Sequence, residues 1–146
     1  MDSKTKANVR LSAFNMLARR ECSRKELFEK LSRRFGEEPC IEEVLDGLRD
    51  DGLQSDERFS ESFVNFRVQR NQGPVKISYE LKQKGVSEEL ILLAMEPYQH
   101  QWMDLAKDLV EKKYGSAPPE DLKEKQRRMR FVMQRGFPSE VCYKLF

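Results

Sequence analysis

Histidine is nearly absent from this sequence: His100 stands alone, close to Trp102, in 146 residues. A lone imidazole without a second ligand or a nucleophile beside it reads as a surface residue rather than a catalyst. No GxxxxGK[ST] loop, HExxH, GxSxG or glycine-rich dinucleotide fingerprint occurs, so the chemistries they serve are not expected. Carboxylates are plentiful, but most fall in the first turns of helical segments or four residues from Lys or Arg, where they support helices. The chain is therefore read as non-enzymatic, with no cofactor and no metal site. Cysteine is scarce as well, and Cys22, Cys40 and Cys142 form an odd set without CxxC spacing, which reads as reduced thiols. No apolar run approaches the roughly 20 residues of a membrane span, and the polar Met1–Arg10 opens no signal peptide. A cytoplasmic chain with no membrane contact is expected. Two-residue alternation is missing too, which excludes strands and the wing of a winged helix. Charge of one sign is the last shortage. With 27 Lys and Arg against 25 Asp and Glu, the net +2 is too small for binding polyanions by bulk charge.

What the sequence has is amphipathic helices with their starts and stops written in. Between Asp56 and Ser87, Phe59, Phe63 and Phe66 recur at i, i+4, i+7, a stripe along one helix face whose start Asp56 is placed to cap. That helix ends before Gly73-Pro74, and Pro74 opens the next, with Val75, Ile77 and Leu81 inward and Lys76, Lys82 and Lys84 outward. Gly85 suits a left-handed stop, and a third helix follows from Ser87. The flanking thirds repeat the plan. Upstream, Val9, Ala13, Met16 and Leu17 mark one helix, Ser23-x-x-Glu26 is a capping box, and Pro39 precedes Ile41, Val44, Leu45 and Leu48. Downstream, Trp102, Leu105, Ala106 and Leu109 form a stripe, Pro118-Pro119 start a helix with Leu122, Met129, Val132 and Met133, and Val141, Leu145 and Phe146 close the chain.

The repeat is visible directly. Leu81-Lys-Gln-Lys-Gly85 returns as Val132-Met-Gln-Arg-Gly136, a shift of 51, and Leu27 and Leu31 stand 50 before Ile77 and Leu81. The expected fold is all-α: three tandem three-helix repeats, helix-turn-helix-like without a wing, in an elongated, curved array. The expected units are residues 1–54, with a short flexible N-terminus, then 55–97 and 98–146. Such an array presents a long surface suited to a long partner. Candidate contacts are the basic residues Arg67, Arg70, Lys76, Lys82 and Lys84, then Lys125, Arg127, Arg128, Arg130 and Arg135. Regular stacking would align them into a stripe able to meet phosphates or an acidic protein groove. Phe59, Phe63, Phe66, Phe131 and Phe137 read as core. A helix-turn-helix role in the major groove is the competing reading, although the helices lack an Asn, Gln and Arg reading set.

Four segments carry a family resemblance: ARRECSRKEL at Ala18–Leu27, SDERFSESFV at Ser55–Val64, GPVKISYELKQKGV at Gly73–Val86 and RFVMQRGFPSEV at Arg130–Val141. In this order they resemble the RecX regulators of RecA recombinase, from about residue 8 to the end. Phe59, Gly73, Pro74, Leu81, Lys84 and Gly85 carry the most specific part, while the Gly36-Glu-Glu-Pro39 turn departs from the usual Lys-Gly-aliphatic form. The resemblance implies a monomeric cytoplasmic protein that binds the RecA–DNA filament along its groove, bridges successive protomers and makes secondary contact with DNA. It would lower RecA's ATP hydrolysis, strand exchange and promotion of repressor cleavage, and so act in DNA repair and the SOS response. The alternative is direct action on duplex or single-stranded DNA.

Overall fold

The computed structural model describes residues 3–146, which form nine α-helices and one short 3-10 turn. The first three are α1 (Ser3–Arg19), α2 (Arg24–Phe35) and α3 (Cys40–Asp50). The central three are α4 (Asp56–Gln69), α5 (Pro74–Gln83) and α6 (Glu88–Met95). After the 3-10 turn Glu96–Tyr98 come α7 (Trp102–Tyr114), α8 (Leu122–Gln134) and α9 (Ser139–Leu145). No strand occurs among the described residues. The expected flexible N-terminus divides: Met1 and Asp2 lie outside the described residues, and α1 already begins at Ser3.

Each trio closes on its own core. Val9, Ala13, Leu27, Leu31, Ile41, Leu45 and Leu48 fill the first, and Phe59, Val64, Ile77, Leu81 and Ile91 the second. Ala106, Leu109, Val132, Phe137 and Cys142 fill the third. The helix starts follow local chemistry. In the Ser23–Glu26 capping box, Ser23 Oγ accepts from the Glu26 N–H at 3.1 Å and Glu26 Oε1 accepts from the Ser23 N–H at 3.0 Å.

Several expectations need correction. The N-cap of α4 is Ser55, whose hydroxyl accepts from the Arg58 N–H; Asp56 lies one residue inside, its carboxylate turned to the Arg24 N–H of the first unit. The end of α4 comes before the proline can act, because Asn71 takes the left-handed conformation (φ 58°) that a short amide side chain tolerates. Val75 is 57% exposed rather than inward, and Phe66 is 50% exposed rather than core. Phe63 and Phe131 are half-buried. Pro118-Pro119 stay in the loop, and α8 begins after its N-cap Asp121, with Leu122 and Met133 at the surface.

The units join through their middle helices. The C-terminal end of α8 meets the N-terminal end of α5, and the C-terminal end of α5 meets the N-terminal end of α2. The Gly73 N–H donates to the Arg135 carbonyl at 2.7 Å and the Val75 N–H to the Gly136 carbonyl at 2.9 Å, so free donors at the start of α5 are satisfied by the next unit. A Cβ on Gly73 would lie 2.4 Å from the Gly136 carbonyl carbon, and one on Gly136 2.4 Å from Lys76 Cβ. At the other junction, a Cβ on Gly85 would lie 2.8 Å from Lys25 Cβ. These approaches explain why the most specific part of the resemblance contains Gly73 and Gly85.

Candidate partner-binding surface

The middle helices carry most of the candidate cations, and their placement sorts them into groups. Lys84 and Arg135 occupy the same place in the repeat, directly before a terminal glycine, and both reach back into the preceding unit. Lys84 Nζ lies 3.3 Å from Glu26 Oε2, and the Arg135 guanidinium donates to the Arg70 carbonyl. Both are joints between units. The QKG and QRG triplets one repeat apart held that signal.

Arg128 is also spoken for, and it leaves the candidate surface: it is only 5% exposed. Its guanidinium donates to the Ala117 carbonyl at 2.8 Å and to Glu124 Oε1 at 2.6 Å, and lies 4.8 Å from the Tyr114 ring centre. The hydrogen bonds from Arg128 and from the Glu120 N–H hold the Glu124 carboxyl below its ordinary range. Arg128 stands 51 residues after the core position Ile77, and that register is the one sequence signal that could have placed it inward. Arg67 pairs with Glu80 at 3.0 Å and covers the Phe63 ring, Arg70 covers Phe66 at 4.2 Å, and Lys82 pairs with Glu88 at 3.3 Å.

Lys76, Lys125, Arg127 and Arg130 form no ion pair with a described residue. On α8, Arg127 and Arg130 join Lys123 at i, i+4, i+7, so one helix face presents three exposed cations with no carboxylate along it. Lys123 was missed as a candidate, although its spacing from Arg127 placed it there. Lys76 sits where α8 ends, its stem against Gly136.

The aromatic stripe of α4 opens on a cleft of about 380 Å³ between the first and second units, walled by Phe59, Phe63, Phe66, Arg20, Glu26 and Lys84. Burial pushes the Glu26 carboxyl up, but the bonds from Arg20 and the Ser23 N–H, with the charges of Arg20 and Lys84, outweigh it and leave Glu26 below its ordinary range. The cleft's charges are thus matched internally. Burial raises the Cys22 and Cys142 thiols, which keeps both protonated and inert. Among the described residues no group of three or more His, Cys, Asp or Glu could hold a metal ion, and no helix is long and apolar enough to cross a membrane.

Comparison with known proteins agrees with the three-unit helical fold. Residues 10–48, 55–95 and 99–146 match the first, second and third three-helix domains of RecX. The chain is 39% identical over 132 residues to the regulatory protein RecX of Halorhodospira halophila, covering 90% of this chain and 82% of the relative. It is 41% identical over 138 residues to the regulatory protein RecX of Chromohalobacter salexigens, covering 94% and 90%. The crystal structure of RecX from Lactobacillus salivarius superposes with a TM-score of 0.82 at 22% identity, over 98% of this chain and 95% of that one. The chain belongs to the RecX family of regulatory proteins.

Proposed function

We propose that this RecX-family chain binds the RecA–DNA filament as a monomer in the cytoplasm, lies along the filament groove across successive protomers and inhibits RecA without chemistry of its own. ATP hydrolysis, strand exchange and repressor cleavage by RecA fall together, because each needs the intact filament. The observation that carries the reading is the pairing of a linear three-unit array with the carboxylate-free cation face of α8. An array of this kind gains affinity from many contacts spread along a repeating partner. The unpaired Lys123, Arg127 and Arg130, with Lys76 and Lys125, supply the electrostatic part, to acidic groups of RecA and secondarily to DNA phosphates. Arg67, Arg70 and Lys82 remain flanking contacts, since each is held by its neighbours and still reaches the surface or its margin.

The test is the single-stranded-DNA-dependent ATPase of the cognate RecA, titrated with this protein well below RecA's concentration. Inhibition at such ratios is expected, since one bound molecule affects many protomers. A variant with Lys76, Arg127 and Arg130 changed to Glu is expected to need at least about ten times more protein for the same inhibition, a shift of roughly 1.4 kcal/mol. Equal potency of that variant removes the α8 face from the contact. No inhibition at any ratio, with tight salt-dependent binding to naked DNA, replaces the filament reading with direct DNA binding.

A further inference from the structure

We infer that the groove between α5 and α6 is a second contact of different chemistry, one that receives an apolar helix of the RecA protomer flanked by Lys or Arg. The inference rests on the filament reading above and adds to it a surface that carries no positive charge. The groove encloses about 710 Å³, with Pro74 and Ser78 on its α5 wall, Leu92 and Met95 on its α6 wall, and Ile91 and Trp102 in its lining. Leu92 is 71% and Leu93 55% exposed on an eight-residue helix, an unusual outlay of large apolar side chains toward water. Val75 and Tyr79, outside the groove's lining and one turn apart on α5, are also more than half exposed. A cluster of this kind, rimmed by polar groups, marks an interaction surface rather than scattered surface hydrophobes.

The rim names the occupant. Among the described residues, the charged ones lining the groove are Glu89 and Glu96 alone, and neither forms an ion pair with a described residue. No Lys or Arg occurs anywhere from Gly85 to Gln101. Two unpaired carboxylates repel phosphate, so the groove is not a nucleic-acid surface. They stand seven residues apart, about 10 Å along a helical path. A complementary segment carries Lys or Arg two helical turns apart with apolar residues between them, the spacing of a helix seated in a groove. A second copy of this chain is the rival occupant, because α1 exposes Leu11 and Phe14 and has no acidic residue. Lys6 and Arg10 of α1 are already paired with Glu43 and Asp51, and its remaining cations, Lys4 and Arg19, stand about 22 Å apart along the helix, too far to meet two carboxylates about 10 Å apart.

The experiment places the photo-crosslinker p-benzoylphenylalanine at Leu92 and irradiates the protein on RecA filaments assembled on single-stranded DNA. The expected product is an adduct to one RecA segment that carries apolar residues between basic ones. In parallel, the variant Leu92→Glu with Leu93→Glu keeps its helicity, since both side chains are exposed, and loses filament affinity at least tenfold. An adduct to DNA or to a second copy of this chain overturns the inference. So does the double variant binding as tightly as the wild type. Those results leave the filament reading intact; failure of the wild type itself to bind the filament removes that reading and the inference with it.

Discussion

The two junctions of the array occupy the same place in the repeat and are held by different forces. Between the second and third units two bonds run backbone to backbone, from Gly73 and Val75 to the carbonyls of Arg135 and Gly136, and the side chains that cross, Arg135 to the Arg70 carbonyl and Lys112 to Asn71, meet neutral acceptors rather than carboxylates. Around them the cores merge: Trp102 and Leu105 pack against both, and Trp102 meets the edge of Phe137 at 6.4 Å between ring centres. Between the first and second units the bonds run through side chains. Asp56 accepts from the Arg24 N–H at 2.9 Å, Lys25 donates to the Gln83 carbonyl at 3.1 Å, Lys84 pairs with Glu26, and Arg58 with Glu21 at 2.9 Å. Backbone bonds beside a shared apolar core respond little to pH or salt, whereas partly exposed ion pairs respond to both. The array is therefore a firm two-unit body with a first unit attached through a titratable, screenable joint.

The most damaging way to break the comparison is at the firm junction. Gly136→Ala puts a methyl 2.4 Å from Lys76 Cβ and 3.0 Å from the Lys76 nitrogen, at a φ of +99°. Backbone cannot move aside as a side chain does, so a loss of about 3 kcal/mol or more is expected, roughly 10 °C in Tm. Thermal unfolding followed by circular dichroism checks it; a Tm within about 2 °C of wild type would mean that the close approach does not bear on stability. Gly85→Ala should cost less, about 1–2 kcal/mol, because its methyl meets only the Lys25 side chain, at 2.8 Å, and adds the strain of φ +80°. Gly36→Ala has the same φ with nothing within 4 Å and isolates the backbone term. The order Gly136, Gly85, Gly36 is the prediction, and a tie between the last two would show the first junction to be slack.

These differences also show how far the sequence could be read. Most helix starts and stops are legible because their causes are local, as in the Ser23–Glu26 box and the left-handed glycines. The ends of α4 and the start of α8, by contrast, are set by Ser55, Asn71 and Asp121 in place of the expected Asp56, Gly73-Pro74 and Pro118-Pro119. The trio order was legible because the repeat copies it. Lys84 and Arg135 looked like outward cations because nothing local says that another unit stands in front of them. Arg128 was hidden for a related reason, since a run of Lys and Arg reads as solvated until a loop carbonyl at Ala117 turns out to be its partner. Val75 failed the other way: an apolar residue in the first turn of α5 reads as core, but its turn faces water beside the groove. Local chemistry sets the elements, and contacts between units set which charges remain for a partner.

The smallest expected effect tests the titratable joint. Replacing Glu26 by Gln removes the acceptor that Arg20 and Lys84 share, at an expected cost of about 1–2 kcal/mol confined to the first unit. Acid does the same reversibly. The folded Glu26 carboxyl lies below its unfolded value of about 4.3, so its stabilisation is fully present above that pH and is lost as pH falls through the folded value. Amide protection in α1–α3, corrected for intrinsic exchange, should therefore drop as the pH is lowered below about 4.3 while emission from Trp102, the only tryptophan, holds steady at the firm junction. Glu26→Gln should flatten most of that acid step. If Trp102 emission moved at the same pH as the first-unit amides, the two junctions would be opening together, and the contrast between a titratable joint and a firm one would fail.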